Sequence, residues 1–324
     1  MAKTKTALII GTEVSTNGFE SGGSLRIDSI RKLLEAKGFD VTVTSRATAK
    51  NFLSSEWNLV TLVSFSTAKF LRLARKRGES LWFDPTDSWT LTRLSLLKNG
   101  DLKQVLLFLR DMFWVWTSPT LDLVTFISER DATRERFWWK YRKAPVIYGI
   151  HGLDREIFPA SSPRLVFIGD GDYSPNNVGL DFLSRVLDFL PPTTKIHLFG
   201  RNLVTDDERF VCHGYSSTQE LYFENDIHLA PIAYGGGLKL KVAIPLWNGL
   251  RVVSTPEGAN GFYPSPNLKV ARTPDLFANS ILDFLGLPIR ESLEIPRANI
   301  YLINQIFQIE DWLENLNPTR NGKI

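Results

Sequence analysis

The chain has 324 residues, 43% of them hydrophobic, and a single cysteine, Cys212. This length predicts about two domains, and one cysteine excludes an internal disulfide framework and favours a reducing, cytoplasmic location. Residues 1–155 carry 24 Lys and Arg against 16 Asp and Glu, a net charge of +8, and the remainder carries 14 against 19, a net −5. We therefore expect the first half to meet an anionic partner.

The first half predicts strands and helices in alternation. The expected strands are residues 7–11, 41–44, 59–63, 80–83, 123–127 and 146–148, and the expected helices are 24–36, 66–77, 101–113 and 129–142. Such alternation is typical of a parallel sheet covered by helices on both faces. The longest apolar run, 105–116, is interrupted by Arg110 and Asp111 and is shorter than the ~20 residues of a membrane span, so none is expected.

Residues 149–163 are rich in Gly, Pro and Ser and predict a linker, after which the alternation restarts. The expected strands are 164–169, 195–199, 210–212, 226–230 and 251–254, and the expected helices are 177–190, 217–223, 274–285 and 298–315. We divide the chain into a first domain (1–155), a second domain (156–297) and a C-terminal helix that packs across the interface (298–324). The predicted class is α/β, with two Rossmann-like, doubly wound domains facing a cleft.

Residues 234–242, YGGGLKLKV, predict an anion site. The three glycines precede a predicted helix, whose first turn carries Lys239 and Lys241. A helix N-terminus presents unpaired N–H groups and a partial positive charge, and glycines let a ligand approach the backbone closely. A diphosphate would fit such a segment. The alternative is a glycine-rich turn with solvated lysines.

Several segments in order resemble a known family. Residues 18–26 and 38–43 look like the opening of GT-B glycosyltransferases, and residues 167–177, 197–201, 226–231, 235–242 and 249–255 are similar to the nucleotide-sugar domain of the family 4 type. Residues 81–89 and 125–128 resemble the inverting xanthan glucuronosyltransferase type. The resemblance implies a metal-independent hexosyltransferase of polysaccharide biosynthesis, without a cofactor, that moves sugar from a nucleoside diphosphate sugar to a glycan or lipid-linked acceptor.

The resemblance implies that residues 1–155 form the acceptor-side domain and residues 156–297 the nucleotide-sugar-binding domain, and it implies roles for individual residues. Lys241 would hold the donor diphosphate, with Lys239 close by. The other implied donor residues are Tyr234, Gly235, Gly236, Gly237, Gly169, Tyr173, Asn176, Arg201 and Glu257, and the acceptor-side residues are Gly22, Gly23, His151, Trp138 and Trp139. The family pattern has acidic residues where this chain has Gly236 and Ile244, so the paired-glutamate signature of retaining members is absent. A non-catalytic nucleotide-sugar-binding subunit is therefore the alternative function.

Asp84 and Asp87 follow a predicted strand, at the edge of the sheet where ligand residues collect. Inverting sugar transfer needs a general base for the acceptor hydroxyl, and Asp87 matches the base position of the glucuronosyltransferase-like pattern. Asp84 is the second candidate, and a cap on the segment that starts at Ser88 is the alternative role for Asp87.

No His, Asp and Glu cluster has metal-ligand spacing, no glycine signature of nicotinamide enzymes follows the first strand, and no nucleic-acid motif is present.

Two segments combine aromatic and basic residues. Residues 103–116 are expected to contribute aromatic side chains to the core. In residues 137–143, the adjacent Trp138 and Trp139 cannot both face the core from one helix, so this segment, with Lys140 and Arg142, is expected to be an acceptor surface or a peripheral contact with an anionic membrane.

Overall fold

The computed structural model describes residues 4–12, 22–98, 103–142, 145–147, 153–214, 221–234, 237–286 and 306–316. The chain divides into two compact units. Unit 1 comprises Met1–Gly152 and Leu302–Ile324, and unit 2 comprises Leu153–Tyr301. The roles predicted for the two domains stay predictions.

Unit 1 contains a six-stranded parallel sheet in the order β2-β1-β3-β4-β5-β6. The strands are β1 (Lys5–Gly11), β2 (Phe39–Ser45), β3 (Trp57–Val63), β4 (Gly78–Thr86), β5 (Leu123–Phe126) and β6 (Val146–Ile147). The helices are α1 (Gly22–Ala36), α2 (Ala49–Phe52), α3 (Leu71–Arg77, after a 3-10 helix at Phe65–Phe70), α4 (Trp89–Lys98), α5 (Lys103–Trp116) and α6 (Glu129–Glu135).

Both faces of this sheet are covered. Leu8 and Ile10 of β1 pack in one hydrophobic cluster, and Ala7 and Ile9 pack in another. Successive side chains of a strand point to opposite faces, so a strand buried on both faces has a continuous apolar run rather than an alternating one. This explains why short apolar runs were sufficient to predict the strands.

Unit 2 has a second six-stranded parallel sheet, in the order β12-β11-β10-β7-β8-β9. The strands are β7 (Leu165–Ile168), β8 (Ile196–Phe199), β9 (Phe210–Gly214), β10 (Ile227–Ala230), β11 (Arg251–Ser254) and β12 (Leu268–Val270). The helices are α7 (Ser174–Leu187), α8 (Leu240–Trp247) and α9 (Pro274–Leu285). The predicted helix 217–223 lies mostly outside the described residues.

The last described helix, α10 (Ile306–Glu314), belongs to unit 1. Ile309, Trp312 and Leu313 lie in the cluster that also contains Ile9, and the Trp312 ring meets the Trp82 ring edge-on at a centroid distance of 6.3 Å. The final helix therefore completes one face of the first sheet. Within the described residues, no helix is both long and apolar enough to cross a membrane.

The predicted helix 129–142 is wrong in its second half, because α6 ends at Glu135. Beyond it the chain turns, and the Trp139 ring packs on Phe83 with centroids 4.8 Å apart and on Phe65 at 6.0 Å. Trp139 is buried, whereas Trp138 is partly exposed. The turn resolves the conflict between two adjacent tryptophans by burying one of them, so Trp139 is not a surface residue.

Candidate functional site

In unit 2, the strand order reverses between β7 and β10, which lie side by side although β8 and β9 separate them in the chain. All strands of this sheet are parallel, so the loops after β7 and β10 leave the same edge and diverge to opposite sides. A reversal of this kind opens a crevice at the carboxyl ends of the strands, where doubly wound proteins bind ligands. Among the described residues, most of the predicted donor residues lie in these loops or in the helices that follow them, whereas Arg201 follows β8 and Glu257 follows β11.

Lys241 and Asn176 meet at this reversal. Lys241 lies in the first turn of α8, which follows β10, and Asn176 lies in the first turn of α7, which follows β7. The Lys241 ammonium donates to Asn176 Oδ1 at 2.7 Å and lies 4.5 Å from the centroid of the Phe167 ring. Within the described part of the chain, no carboxylate forms an ion pair with Lys241. The amine is thus held by a neutral amide and an aromatic ring.

These surroundings disfavour the charged form of the lysine. Burial, with a smaller contribution from the positive charge of Lys239, lowers the pKa of Lys241 to about 7. An anionic ligand at the start of α8 would be stabilised by two interactions. It would pair with the charge of Lys241, and it would accept hydrogen bonds from the N–H groups of the first helical turn. Lys239 is the N-cap residue of α8 and is partly exposed.

The loop after β7 is tied to the loop after β8. The N–H of Gly169 donates to Phe199 O at 2.9 Å, and the N–H of Gly171 donates to Arg201 O at 2.8 Å. A Cβ on Gly171 would lie 1.8 Å from Asn202 O, so only glycine permits this approach. Close packing of the two loops fixes the backbone that leads into α7.

Arg201, which was predicted to bind the donor, lies beside the loop after β7 and forms an ion pair with a carboxylate of that loop. Its guanidinium contacts Asp170 Oδ2 at 2.5 Å, and this hydrogen bond lowers the pKa of Asp170. Asn176 contacts the same loop, because its amide Nδ2 donates a hydrogen bond to Asp170 O at 2.7 Å. Asp170 is a residue that the sequence analysis missed, although it lies inside the loop quoted for the donor site.

The remaining predicted donor residues lie at the same edge or outside the described residues. Tyr234 OH lies 3.2 Å from Ser174 Oγ, a second link between the chain after β10 and the start of α7. Tyr173 is the exposed N-cap residue of α7, Gly237 has a positive φ of 73°, and Glu257 is partly exposed in the loop after β11. Gly235 and Gly236 lie outside the described residues.

In unit 1, the structure counts against Asp84 as a base. Asp84 lies inside β4 and is fully buried, and its carboxylate forms a buried ion pair with Arg26 of α1 at 2.6 Å. The same carboxylate accepts from the Thr125 hydroxyl and from the N–H of Thr86. A general base must reach the proton it removes, and these partners already occupy the carboxylate oxygens. Asp84 therefore has a structural role.

Asp87 lies after β4, in the short link to α4, and is partly exposed. The N–H of Ser88 donates to Asp131 Oδ1 at 2.9 Å, and the N–H of Thr90 donates to Glu135 Oε1 at 3.1 Å. Side chains of α6 thus cap these two N–H groups at the start of α4. The catalytic role of Asp87 stays a prediction.

The acceptor-side residues are dispersed through unit 1. Gly22 and Gly23 open α1, Trp138 lies in the turn after α6, Trp139 is in the core, and His151 lies outside the described residues. Within the described residues, no group of three or more His, Cys, Asp and Glu side chains could hold a metal ion. Metal independence itself stays a prediction.

Sequence reasoning missed the partners that position the predicted residues. Arg26 holds Asp84, Asp131 and Glu135 hold the start of α4, and Phe167 lies under Lys241. Each of these partners is distant in the chain from the residue it contacts. Arg26 was inside a segment quoted for its resemblance, which is the one signal that could have drawn attention to it.

Comparisons with known proteins find structural similarity but no sequence match. No family model matches the chain, and no curated protein sequence matches it. Anabaena HepE in complex with UDP and glucose matches with a TM-score of 0.59 at 11% identity, over 86% of this chain and 89% of that one. Its complex with UDP-glucose also has a TM-score of 0.59, at 13% identity, over 87% and 90% of the two chains.

The lipopolysaccharide outer core galactosyltransferase WaaB, in its apo form, matches over 97% of this chain and 96% of that chain, with a TM-score of 0.50 and 10% identity. Identities this low show the fold alone. The two parallel α/β sheets and these structural neighbours confirm the predicted fold class: the chain has the GT-B fold of glycosyltransferases.

Proposed function

We propose that the protein is a glycosyltransferase that takes a sugar from a nucleoside diphosphate sugar bound to unit 2 and transfers it to an acceptor hydroxyl. The contact between Lys241 and Asn176 carries this proposal. It joins the first turns of α7 and α8 at the reversal of the strand order and leaves a cation with a neutral partner there. The complexes of HepE with UDP and glucose and with UDP-glucose, on a similar fold, support the same class of donor.

The proposed chemistry gives one role to Asp87 and another to the start of α8. Asp87 of unit 1 removes the proton of the acceptor hydroxyl, whose oxygen attacks the anomeric carbon of the donor sugar. The bond from that carbon to the diphosphate breaks, and the electron pair leaves with the diphosphate. Lys241, once protonated, and the N–H groups at the start of α8 stabilise the negative charge that develops on this leaving group. This scheme gives inversion at the anomeric carbon.

The second candidate is a subunit that binds a nucleotide sugar without transferring it. Its support is the absence of acidic side chains at two positions of the family pattern, Gly236 and Ile244. Ile244 is buried in α8, and so the structure gives it a packing role. In this alternative, unit 2 still binds the nucleotide sugar, and Asp87 has no catalytic role.

A panel of nucleotide sugars, beginning with UDP-glucose and UDP-galactose, separates the two candidates. The full chain is incubated with each donor and with glycan and lipid-linked acceptors, and release of the nucleoside diphosphate is measured beside binding. Binding with release supports the transferase. Binding without release from any donor supports the subunit, and the absence of binding to every donor contradicts both.

We also propose that the acceptor is a glycan or a lipid-linked glycan of polysaccharide assembly, and that the protein acts in the cytoplasm. The basic charge of residues 1–155 supports an acceptor that carries an anionic lipid phosphate, and the low cysteine content, a single free Cys212, supports a reducing compartment. The donor base, the donor sugar, and the acceptor are identified by the same panel.

Donor affinity is expected to depend on pH through Lys241. In the free protein the pKa of Lys241 is lowered to about 7, so above that pH the amine is mostly neutral and must take up a proton when a diphosphate binds. Affinity should be nearly constant below pH 7 and fall by up to about tenfold per pH unit above it. Nucleotide-sugar binding is measured by calorimetry from pH 6 to 9.

The matched control is Lys241→Arg, because arginine stays protonated throughout this range. The variant should bind the donor with an affinity that does not change with pH. An equal pH dependence in the wild type and in Lys241→Arg would assign the titration to another group.

A further inference from the structure

The outward face of α5 is a stripe of large apolar side chains. The exposed fractions are 45% for Val105, 72% for Leu106, 61% for Leu109, 57% for Phe113 and 78% for Trp116. At 100° per residue these five positions fall within about one third of the helix circumference. We call them the α5 stripe. The sequence analysis expected aromatic side chains of this segment to lie in the core, and this is wrong for Phe113 and Trp116.

The opposite side of α5 is the side that packs on unit 1. Val115 and Asp111 are buried, and Phe108, Met112 and Trp114 pack against the core of the first sheet. The stripe is therefore not needed to hold α5 on the domain. Scattered exposed apolar residues are ordinary, but a continuous row of five with two aromatic rings marks a contact surface in a folded protein.

Within the described residues of α5, the exposed charges have one sign. Lys103 and Arg110 are exposed at one border of the α5 stripe, and the only acidic residue between 103 and 116, Asp111, faces inward and pairs with Arg93 and Arg110. Arg110 also lies over the Trp114 ring at 4.6 Å. A surface that covers this face therefore meets an apolar row with basic side chains at one border, which an apolar layer with an anionic boundary would complement.

A second exposed aromatic group lies close to α5. Trp138 meets the Trp89 ring at a centroid distance of 6.1 Å, and Trp89 meets Phe108 of α5 at 5.1 Å. Phe137, next to Trp138, is exposed, and Arg136 lies over its ring. The turn after α6 thus adds an aromatic and basic contact on the same part of unit 1, without Trp139.

We propose that the α5 stripe docks unit 1 on an anionic lipid bilayer, with α5 lying parallel to the membrane surface. Aromatic and leucine side chains enter the boundary between head groups and acyl chains, and Lys103 and Arg110 meet the anionic head groups. A helix of 14 residues is about 21 Å long, too short to span the ~30 Å hydrocarbon layer. A second copy is a poorer occupant, because a symmetric contact would bring the same basic borders together.

The proposal goes beyond the proposed function and does not depend on the donor site, because membrane binding is measured without any nucleotide. The full chain is sedimented with vesicles of phosphatidylcholine alone and with vesicles containing equal amounts of phosphatidylcholine and phosphatidylglycerol. The wild type should bind the anionic vesicles, and added salt should weaken this binding because it screens the head groups. Its affinity for neutral vesicles should be lower by about tenfold or more.

The test variant is Leu106→Gln with Leu109→Gln and Phe113→Gln, because glutamine is a good helix former and these side chains make no core. It should lose binding to anionic vesicles by about tenfold or more, since burial of apolar area is removed. The matched control is Phe189→Gln with Val204→Gln, two exposed apolar residues of unit 2 (56% and 81%), which should bind like the wild type.

Position-specific insertion provides the second measurement. In a Cys212→Ser background, Leu109→Cys and Val204→Cys are labelled with an environment-sensitive fluorophore. Anionic vesicles should shift the emission to the blue at position 109 and leave position 204 unchanged. Equal vesicle binding by the wild type and the triple variant, equal binding to both vesicle types, or no binding at all overturns the proposal. A wild-type dimer without lipid that the triple variant abolishes also overturns it, in favour of a second copy.

Discussion

Replacing Asp84 with asparagine is expected to lower the free energy of unfolding of unit 1 by about 3–5 kcal/mol, because it leaves the buried charge of Arg26 without a counter-charge. The substitution also disturbs Thr125, whose hydroxyl donates to Asp84 and accepts from Trp82 Nε1 at 2.8 Å. Urea unfolding followed by tryptophan fluorescence reports on unit 1, which contains eight of the nine tryptophans.

The control for this substitution is Asp28→Asn on the same helix. Asp28 forms ion pairs with Arg31 and Lys32 on the exposed side of α1, where water screens the charges, so its loss should cost less than about 1 kcal/mol. Equal stability of the Asp84→Asn and Asp28→Asn variants would show that the buried pair does not hold the first sheet to α1. Replacing Arg26 with methionine together with Asp84→Asn should restore part of the lost stability.

Asp87→Asn is expected to reduce turnover by about 100-fold or more, because the amide cannot accept the proton of the acceptor hydroxyl. Donor affinity should stay within about twofold of the wild type, since the donor is assigned to unit 2 and Asp87 to unit 1. Release of the nucleoside diphosphate gives kcat, and calorimetry gives donor affinity independently of catalysis.

Asp40→Asn, a change at an exposed position of β2, is the control and should leave turnover unchanged. If the Asp87→Asn variant is as active as the wild type, Asp87 is not the general base. Loss of activity together with loss of stability would instead assign Asp87 to the folding of the link between β4 and α4, as a cap would.

Most of the fold could be predicted because parallel sheets buried on both faces produce short apolar runs separated by amphipathic helices. β11 (Arg251–Ser254) and α9 (Pro274–Leu285) have the predicted bounds. The helix α4 was missed because its apolar residues, Trp89, Leu91, Leu94, Leu96 and Leu97, follow neither the helical nor the strand period. The end of α6 was misplaced because tertiary packing of Trp139 overrides local pattern.

The candidate site could be predicted residue by residue but not contact by contact. The glycine and lysine run indicated an anion site at α8, yet nothing in the chain shows that Lys241 meets Asn176, 65 positions earlier. Asp84 and Asp87 both follow the predicted strand, and only the resemblance favoured Asp87. The structure shows that Asp84 is the buried partner of Arg26, whereas Asp87 is partly exposed. Likewise, α5 is apolar on most of its circumference, so periodicity could not tell which side faces the core.

The central claim is that the start of α8 holds the diphosphate of a nucleotide sugar through Lys241. Calorimetric titration of the wild type and of Lys241→Ala with the donor selected from the panel tests it most directly. Because a charge-assisted contact contributes about 1.5–3 kcal/mol, Lys241→Ala should bind about 10- to 150-fold more weakly, and Lys239→Ala should lose less. Unchanged affinity in Lys241→Ala, with the protein folded, would contradict the account.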